Sequence, residues 1–165
     1  LYKDRKEGDK AMPKFEVKSF KSQRGHEGPG FYCVLWVDGV KGAEAIDQGD
    51  GGMVYWSWFS PGAKRKFDEY VASLPEREMG LEFGLPSMMK KPTADDVIVD
   101  LISEIEVRRT LKRKCRTQTL IRLKGDKPDE YRAIKVAFTP AVAEQICRKY
   151  GDQLVEIINE RKDLG

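Results

Sequence analysis

Through the first third of the chain, apolar and polar positions alternate with a period of two, the spacing of a strand with one face turned to a core. Phe15, Val17 and Ser19 alternate with Glu16, Lys18 and Phe20, which predicts a strand over 14–20. A turn-rich stretch over 24–30, Arg-Gly-His-Glu-Gly-Pro-Gly, interrupts it. A second strand is predicted over 31–37, rich in β-branched and aromatic residues, and Asp38-Gly39 then gives a tight hairpin turn into a third over 40–46. After the glycine-rich turn at 47–52 the most aromatic strand follows, over 53–59. Ser60-Pro61 then opens a helix, with serine as cap and proline at the first helical position, and Phe67, Tyr70, Val71 and Leu74 supply one apolar stripe.

Beyond Pro75 the period changes twice. Met79, Leu81, Phe83 and Leu85 alternate with Gly80, Glu82 and Gly84, so the stretch between Pro75 and Pro92 is expected to act as an arm with one adhesive edge. Thr93, with Asp96 three residues on, starts a helix whose broad apolar face is Val97, Ile98, Leu101, Ile102 and Ile105, running to about residue 112. Strands over 117–124 and 131–137, joined by a turn at 125–130, precede a last helix opened by Thr139-Pro140. Its stripe is Val142, Ile146, Tyr150, Leu154, Ile157 and Ile158, carried through Gly151 with a bend.

The expected fold class is therefore α+β: a four-stranded antiparallel sheet plus a helix, followed by a helix-hairpin-helix module. The corresponding segments are a flexible tail (1–13), a β-β-β-β-α module (14–75), the arm (76–92) and an α-β-β-α module (93–165). A chain of 165 residues, 40% hydrophobic, can bury enough surface to fold without disulfides or metal. No apolar run approaches the roughly 18 residues of a membrane span. The three cysteines, Cys33, Cys115 and Cys147, lie far apart and His26 is the only histidine. No metal site and no cofactor is expected, and the odd cysteine count with no secretory leader places the chain in a reducing compartment, the cytoplasm.

Charge is segregated more sharply than the net +3 suggests. Asp95, Asp96, Asp100, Glu104 and Glu106 occur with no base over 93–107. Arg108, Arg109, Lys112, Arg113, Lys114, Arg116, Arg122 and Lys124 then occur with no acid over 107–125. Matching of the helix dipole accounts for the pattern on the helix but not for Arg116, Arg122 and Lys124 beyond it. The expectation is a cationic ridge that contacts phosphates.

Aromatic residues are the second feature. Alternation places Tyr32, Val34 and Trp36 opposite Phe31, Cys33, Leu35 and Val37, and Val54, Trp56 and Trp58 opposite Met53, Tyr55 and Phe59. Both faces are apolar, and one helix covers only one of them. The other either packs on the second module or offers rings to a ligand, and Trp36, Trp56 and Trp58 are the candidate stacking platform for single strands. Four antiparallel strands and a helix, with glycine-rich turns between aromatic strands, resemble in order the single-strand-binding folds of the PUR repeat and Whirly families. The wording of 24–31 and 47–52 is also similar to small proteins of phages and mobile elements, which implies a role at a nucleic-acid machine or defence complex in the host cytoplasm.

Catalytic readings are weaker. A serine or cysteine nucleophile would have only His26 as a base, in a Gly-Pro turn. Glu16-Val17-Lys18 has the E-x-K spacing of metal-dependent nucleases, with Asp38 or Asp47 as the further acid. The loop at 47–52 lacks the ligands of an EF-hand and no phosphate-binding loop follows. The sequence thus points first to a non-enzymatic nucleic-acid-binding protein, single strands favoured. Second is an effector that binds and inhibits a host protein through charge and the arm residues Met79, Leu81, Phe83 and Leu85. Third is a metal-dependent nuclease.

Overall fold

A computed structural model describes residues 12–79 and 88–164, which fall into two compact units dividing between Ile102 and Ser103. Most of the predicted tail, and Leu81, Phe83 and Leu85 of the arm, lie outside the described residues.

In the first unit β1 (Phe15–Arg24), β2 (Pro29–Val37), β3 (Val40–Asp47) and β4 (Tyr55–Trp58) form an antiparallel sheet in sequence order. Asp38 and Gly39, at φ 50° and 78°, make the hairpin that their sequence predicts. The Asp38 carboxylate accepts hydrogen bonds from the Lys14 amide at 2.8 Å and the Lys66 ammonium at 2.6 Å. Strand β1 is longer than the alternation suggests because a bulge lies inside it. Lys18 pairs with Val34 and Lys21 with Tyr32, leaving one more residue on β1 than on β2 between them, and Ser19 has φ 54°. The bulge reverses the parity, so Phe20 packs against the core together with Phe15 and Val17.

The loops at the far end of the sheet interlock. The Glu27 and Gly28 amides both donate to the Gly49 carbonyl, at 2.9 and 3.0 Å, and the Gly25 amide to the Gly28 carbonyl. A Cβ at Gly25 would overlap the carbonyls of Gln48 and Gly49. Glycine is required there by close approach of two backbones.

Helix α1 (Pro61–Ser73) starts as its sequence predicts, with the Ser60 hydroxyl accepting from the Ala63 amide at 3.2 Å. Its Ala63 and Phe67 are buried on Phe31, Cys33, Leu35, Val37 and Ala45. The arm pairs with itself, β5 (Arg77–Met79) lying antiparallel to β6 (Met88–Lys90).

Helix α2 (Ala94–Cys115) follows. Its capping box is formed by the Thr93 amide donating to Asp96 at 2.7 Å and the Asp96 amide to the Thr93 hydroxyl at 3.2 Å. Burial opposes its ionisation, but the Thr93 amide and the Thr93 hydroxyl, which also donates to the carboxylate at 2.7 Å, together with the charges of Arg77 and Lys90, hold the Asp96 carboxyl below its usual range. Val97, Ile98 and Ile102 complete the first core. Asp95 accepts from the Trp56 indole at 2.9 Å and the Val54 amide at 3.1 Å.

The second unit departs from the helix-hairpin-helix expectation. Strands β7 (Thr119–Leu123) and β8 (Arg132–Ile134) pair as a hairpin, and α3 (Pro140–Tyr150) is capped by Thr139. The last helix does not continue through Gly151, where φ is 47°. A single 3-10 turn follows, and then β9 (Leu154–Ile157) runs antiparallel to β7, giving a three-stranded sheet in the order β8-β7-β9. Leu154 and Ile157 both reach the core because Val155 is an extra residue in β9 opposite the Arg122/Leu123 step of β7. A bulge thus mimics helical spacing. Two clusters fill this unit, one of Ile121, Leu123, Ile146 and Ile157, the other of Leu111, Leu120 and Ile158. Asn159 joins the second cluster to the helix end. Its amide nitrogen donates to the Cys115 and Gln118 carbonyls and its oxygen accepts from the Leu120 amide.

Candidate nucleic-acid interface

The eight cationic residues of the predicted ridge divide into two kinds. Arg108, Arg109, Lys112 and Arg113 are exposed on the last two turns of α2, and at about 100° per residue they span an arc of roughly 140°. Leu111 points away from that arc into the core of the second unit. Arg116 follows in the turn directly after the helix. Arg108 lies 3.8 Å from Asp163, both half exposed. Among the described residues no carboxylate pairs with Lys112, Arg113, Arg116 or Lys124.

The remaining two are structural. Lys114 is half-buried and donates to the Tyr131 hydroxyl at 2.8 Å, with its ammonium 5.0 Å from that ring. Arg122 pairs across the sheet with Glu156 at 2.7 Å and donates to the Pro128 carbonyl at 3.1 Å. Glu156 is shared with Arg161 at 2.5 Å, and this hydrogen bond, aided by the charges of both guanidiniums, lowers its carboxyl below the usual range. The Arg122 Nε is buried without a partner. Arg122 therefore serves the sheet, and the exposed cations of the ridge are those of the helix face, Arg116 in the turn after it and Lys124 directly after β7.

The three tryptophans do not share a face. Trp56 and Trp58 project inward, stacked at 5.4 Å with planes 10° apart, and each lies against Phe67, at 5.5 and 5.8 Å. Trp36 projects from the opposite face, where the Lys18 ammonium sits 4.0 Å from its ring centroid. The alternation within each strand was legible, but which side of β4 matches which side of β2 depends on pairing: Ala45 faces both Cys33 and Trp56, so Trp56 belongs with the core side of β2.

That opposite face carries residues the tryptophan pattern did not single out. Across the strands the register makes three rows: Lys21, Tyr32, Ile46 and Tyr55; Lys18, Val34, Glu44 and Ser57; Glu16, Trp36 and Lys41. Phe59 extends the third row, with the Lys41 ammonium 4.2 Å from its ring. Tyr55 and Phe59 are 55% and 50% exposed, so these rings are open to solvent. Tyr32 is half-buried. Desolvation first, and then its hydrogen bond to Glu44, push its phenol above the usual range.

Each carboxylate of the nuclease alternative has a partner of its own in the fold. Glu16 is engaged by Lys14 at 2.8 Å and Lys18 at 3.9 Å, and the Lys14 hydrogen bond holds its carboxyl below the usual range. The Asp38 carboxylate is taken by Lys14 and Lys66, and the Asp47 carboxylate by the Gly49 amide. Among the described residues no group of three His, Cys, Asp or Glu side chains is placed to hold a metal ion, and no helix is long and apolar enough to cross a membrane. Of the arm, Met79 is half-buried in β5 while Met88 and Met89 are 57% and 62% exposed.

No family model matches this chain, and no curated protein or solved structure matches it either.

Proposed function

We propose that this chain is a nucleic-acid-binding protein that grips phosphates with the basic face of α2. The observation that carries the reading is the set Lys112, Arg113 and Arg116, exposed on consecutive turns and without a carboxylate partner among the described residues. Exposed cations left unpaired keep their charge available to a polyanion, and each phosphate they neutralise releases counterions. Fluorescence anisotropy of labelled single-stranded DNA, duplex DNA and RNA at about 50 and 200 mM salt tests it, because several contacts lower affinity by orders of magnitude over that range. Arg113→Ala with Arg116→Ala should weaken all sequences alike and reduce the salt slope by about two. Unchanged binding would overturn the proposal.

A second reading is supported by Met88 and Met89, two exposed methionines on a self-paired hairpin, which suit docking of an apolar surface on a partner protein. It predicts flat anisotropy curves with every nucleic acid at both salts.

A further inference from the structure

We propose that the outer face of the β1–β4 sheet is a second binding site, one that takes the bases of single-stranded nucleic acid. This rests on the nucleic-acid reading and names its ligand. Four observations meet on the face. First, its rings stand at the corners: Tyr32 and Tyr55 in one row, Trp36 and Phe59 two rows away, with successive rows about 7 Å apart. Second, Tyr55 and Phe59 are half exposed and Tyr32 and Trp36 half-buried, while α1 and the first half of α2 pack on the inner face.

Third, lysines are interleaved with the rings. Lys14, Lys18, Lys21 and Lys41 face two carboxylates, Glu16 and Glu44. Glu16 is shared by Lys14 and Lys18, and Glu44 is engaged by Lys41 at 3.4 Å and by the Tyr32 hydroxyl. Lys21 pairs with no carboxylate among the described residues, so the face is positive in balance. Fourth, two ring faces, Trp36 and Phe59, already hold a cation at 4.0 and 4.2 Å. A flexible ammonium over a ring is displaced readily by a base, and once displaced it can reach the adjoining phosphate. Stacking needs the flat face of an unpaired base, which a duplex keeps inside its own stack. A surface of rings and lysines therefore selects single strands, whereas the helix face described above binds any phosphate backbone.

The experiment compares an oligothymidylate with a duplex of equal length in anisotropy titrations of the full chain. Trp36→Ala and Tyr55→Ala should each weaken single-strand binding about tenfold and leave duplex binding unchanged, while Trp36→Phe, which keeps a ring, should lose little. Tyr55 is half exposed, so its variant separates lost stacking from lost folding. Adding the oligothymidylate should also quench tryptophan emission, and most of the quench should vanish in Trp36→Phe because Trp56 and Trp58 lie on the opposite, inner face against Phe67. If Trp36→Ala and Tyr55→Ala leave the single-strand affinity unchanged while Arg113→Ala with Arg116→Ala lowers it, the stacking site is wrong and the helix reading stands. If neither nucleic acid binds at about 50 mM salt, both proposals fall.

Discussion

On the inner face of the four-stranded sheet Trp56 and Trp58 lie stacked beneath Phe67, whereas on the outer face Trp36 carries the Lys18 ammonium over its ring and Tyr55 and Phe59 stand half exposed. Residue type does not distinguish the two sets. What does is which parity meets α1, and the strand pairings settle that. Inside, the neighbours of the rings are small: Ala43, Ala45 and Ala63 leave room for two indoles and a phenyl ring. Outside, the neighbours are long lysines and glutamates that lie along the rings without sealing them. The same contrast recurs between Arg122, fixed to Glu156, and Arg113, which is exposed and has no carboxylate partner among the described residues.

Substitutions test whether the two faces differ as described. Phe67→Ala should cost about 4 kcal/mol, by removing a fully buried ring on which Phe15, Trp56 and Trp58 all rest. In urea denaturation Tyr55→Ala should fall within about 0.5 kcal/mol of the wild type. Comparable losses at both positions would mean that the outer face is covered after all.

Glu156→Gln should cost about 2 kcal/mol, since it leaves two half-buried guanidiniums facing an uncharged partner. The pH dependence has a definite sign. With the Glu156 carboxyl lowered from 4.5, its contribution is complete above that pH and is lost as acid carries the pH down through the lowered value. Urea midpoints measured between about pH 6 and 3 should therefore fall less steeply in Glu156→Gln than in the wild type. By contrast Arg113→Ala with Arg116→Ala should leave the midpoint within about 0.5 kcal/mol of wild type, whatever it does to ligand binding.

The smallest expected effect is kinetic. Burial pushes the Cys33 thiol up to about 12, so at pH 8 a thiol reagent should modify exposed Cys147 readily and Cys33 only when the first unit opens. Equal rates would show the inner face to be loosely packed.

Features set by neighbouring residues were readable from the chain alone. The Ser60-Pro61 start, the Thr93/Asp96 capping box and the Asp38-Gly39 turn each depend on groups within four residues of one another, and each formed as expected. Parity across a bulge was not readable. Ser19 and Val155 each add one residue to a strand, which moved Phe20 to the core side and made β9 look like a further turn of helix. The basic run could be located, but not divided, because the partner that fixes Arg122 lies 34 residues away in a strand the pattern concealed. The outer-face rings were visible as letters, while their grouping with Lys18 and Lys41 required the register of all four strands.

The interlock of Gly25, Gly28 and Gly49 gives the far end of the sheet an unusual kind of order. Loops are ordinarily the independent parts of a domain, free to lengthen and to open one at a time. Here the Gly49 carbonyl serves two amides of the other loop, and no side chain fits at Gly25, so neither loop can take up its shape before the other is present. In hydrogen exchange the amides of Glu27 and Gly28 should open as a pair, at one common rate set by the 47–52 loop. An insertion in either loop should be felt as a loss of protection in both.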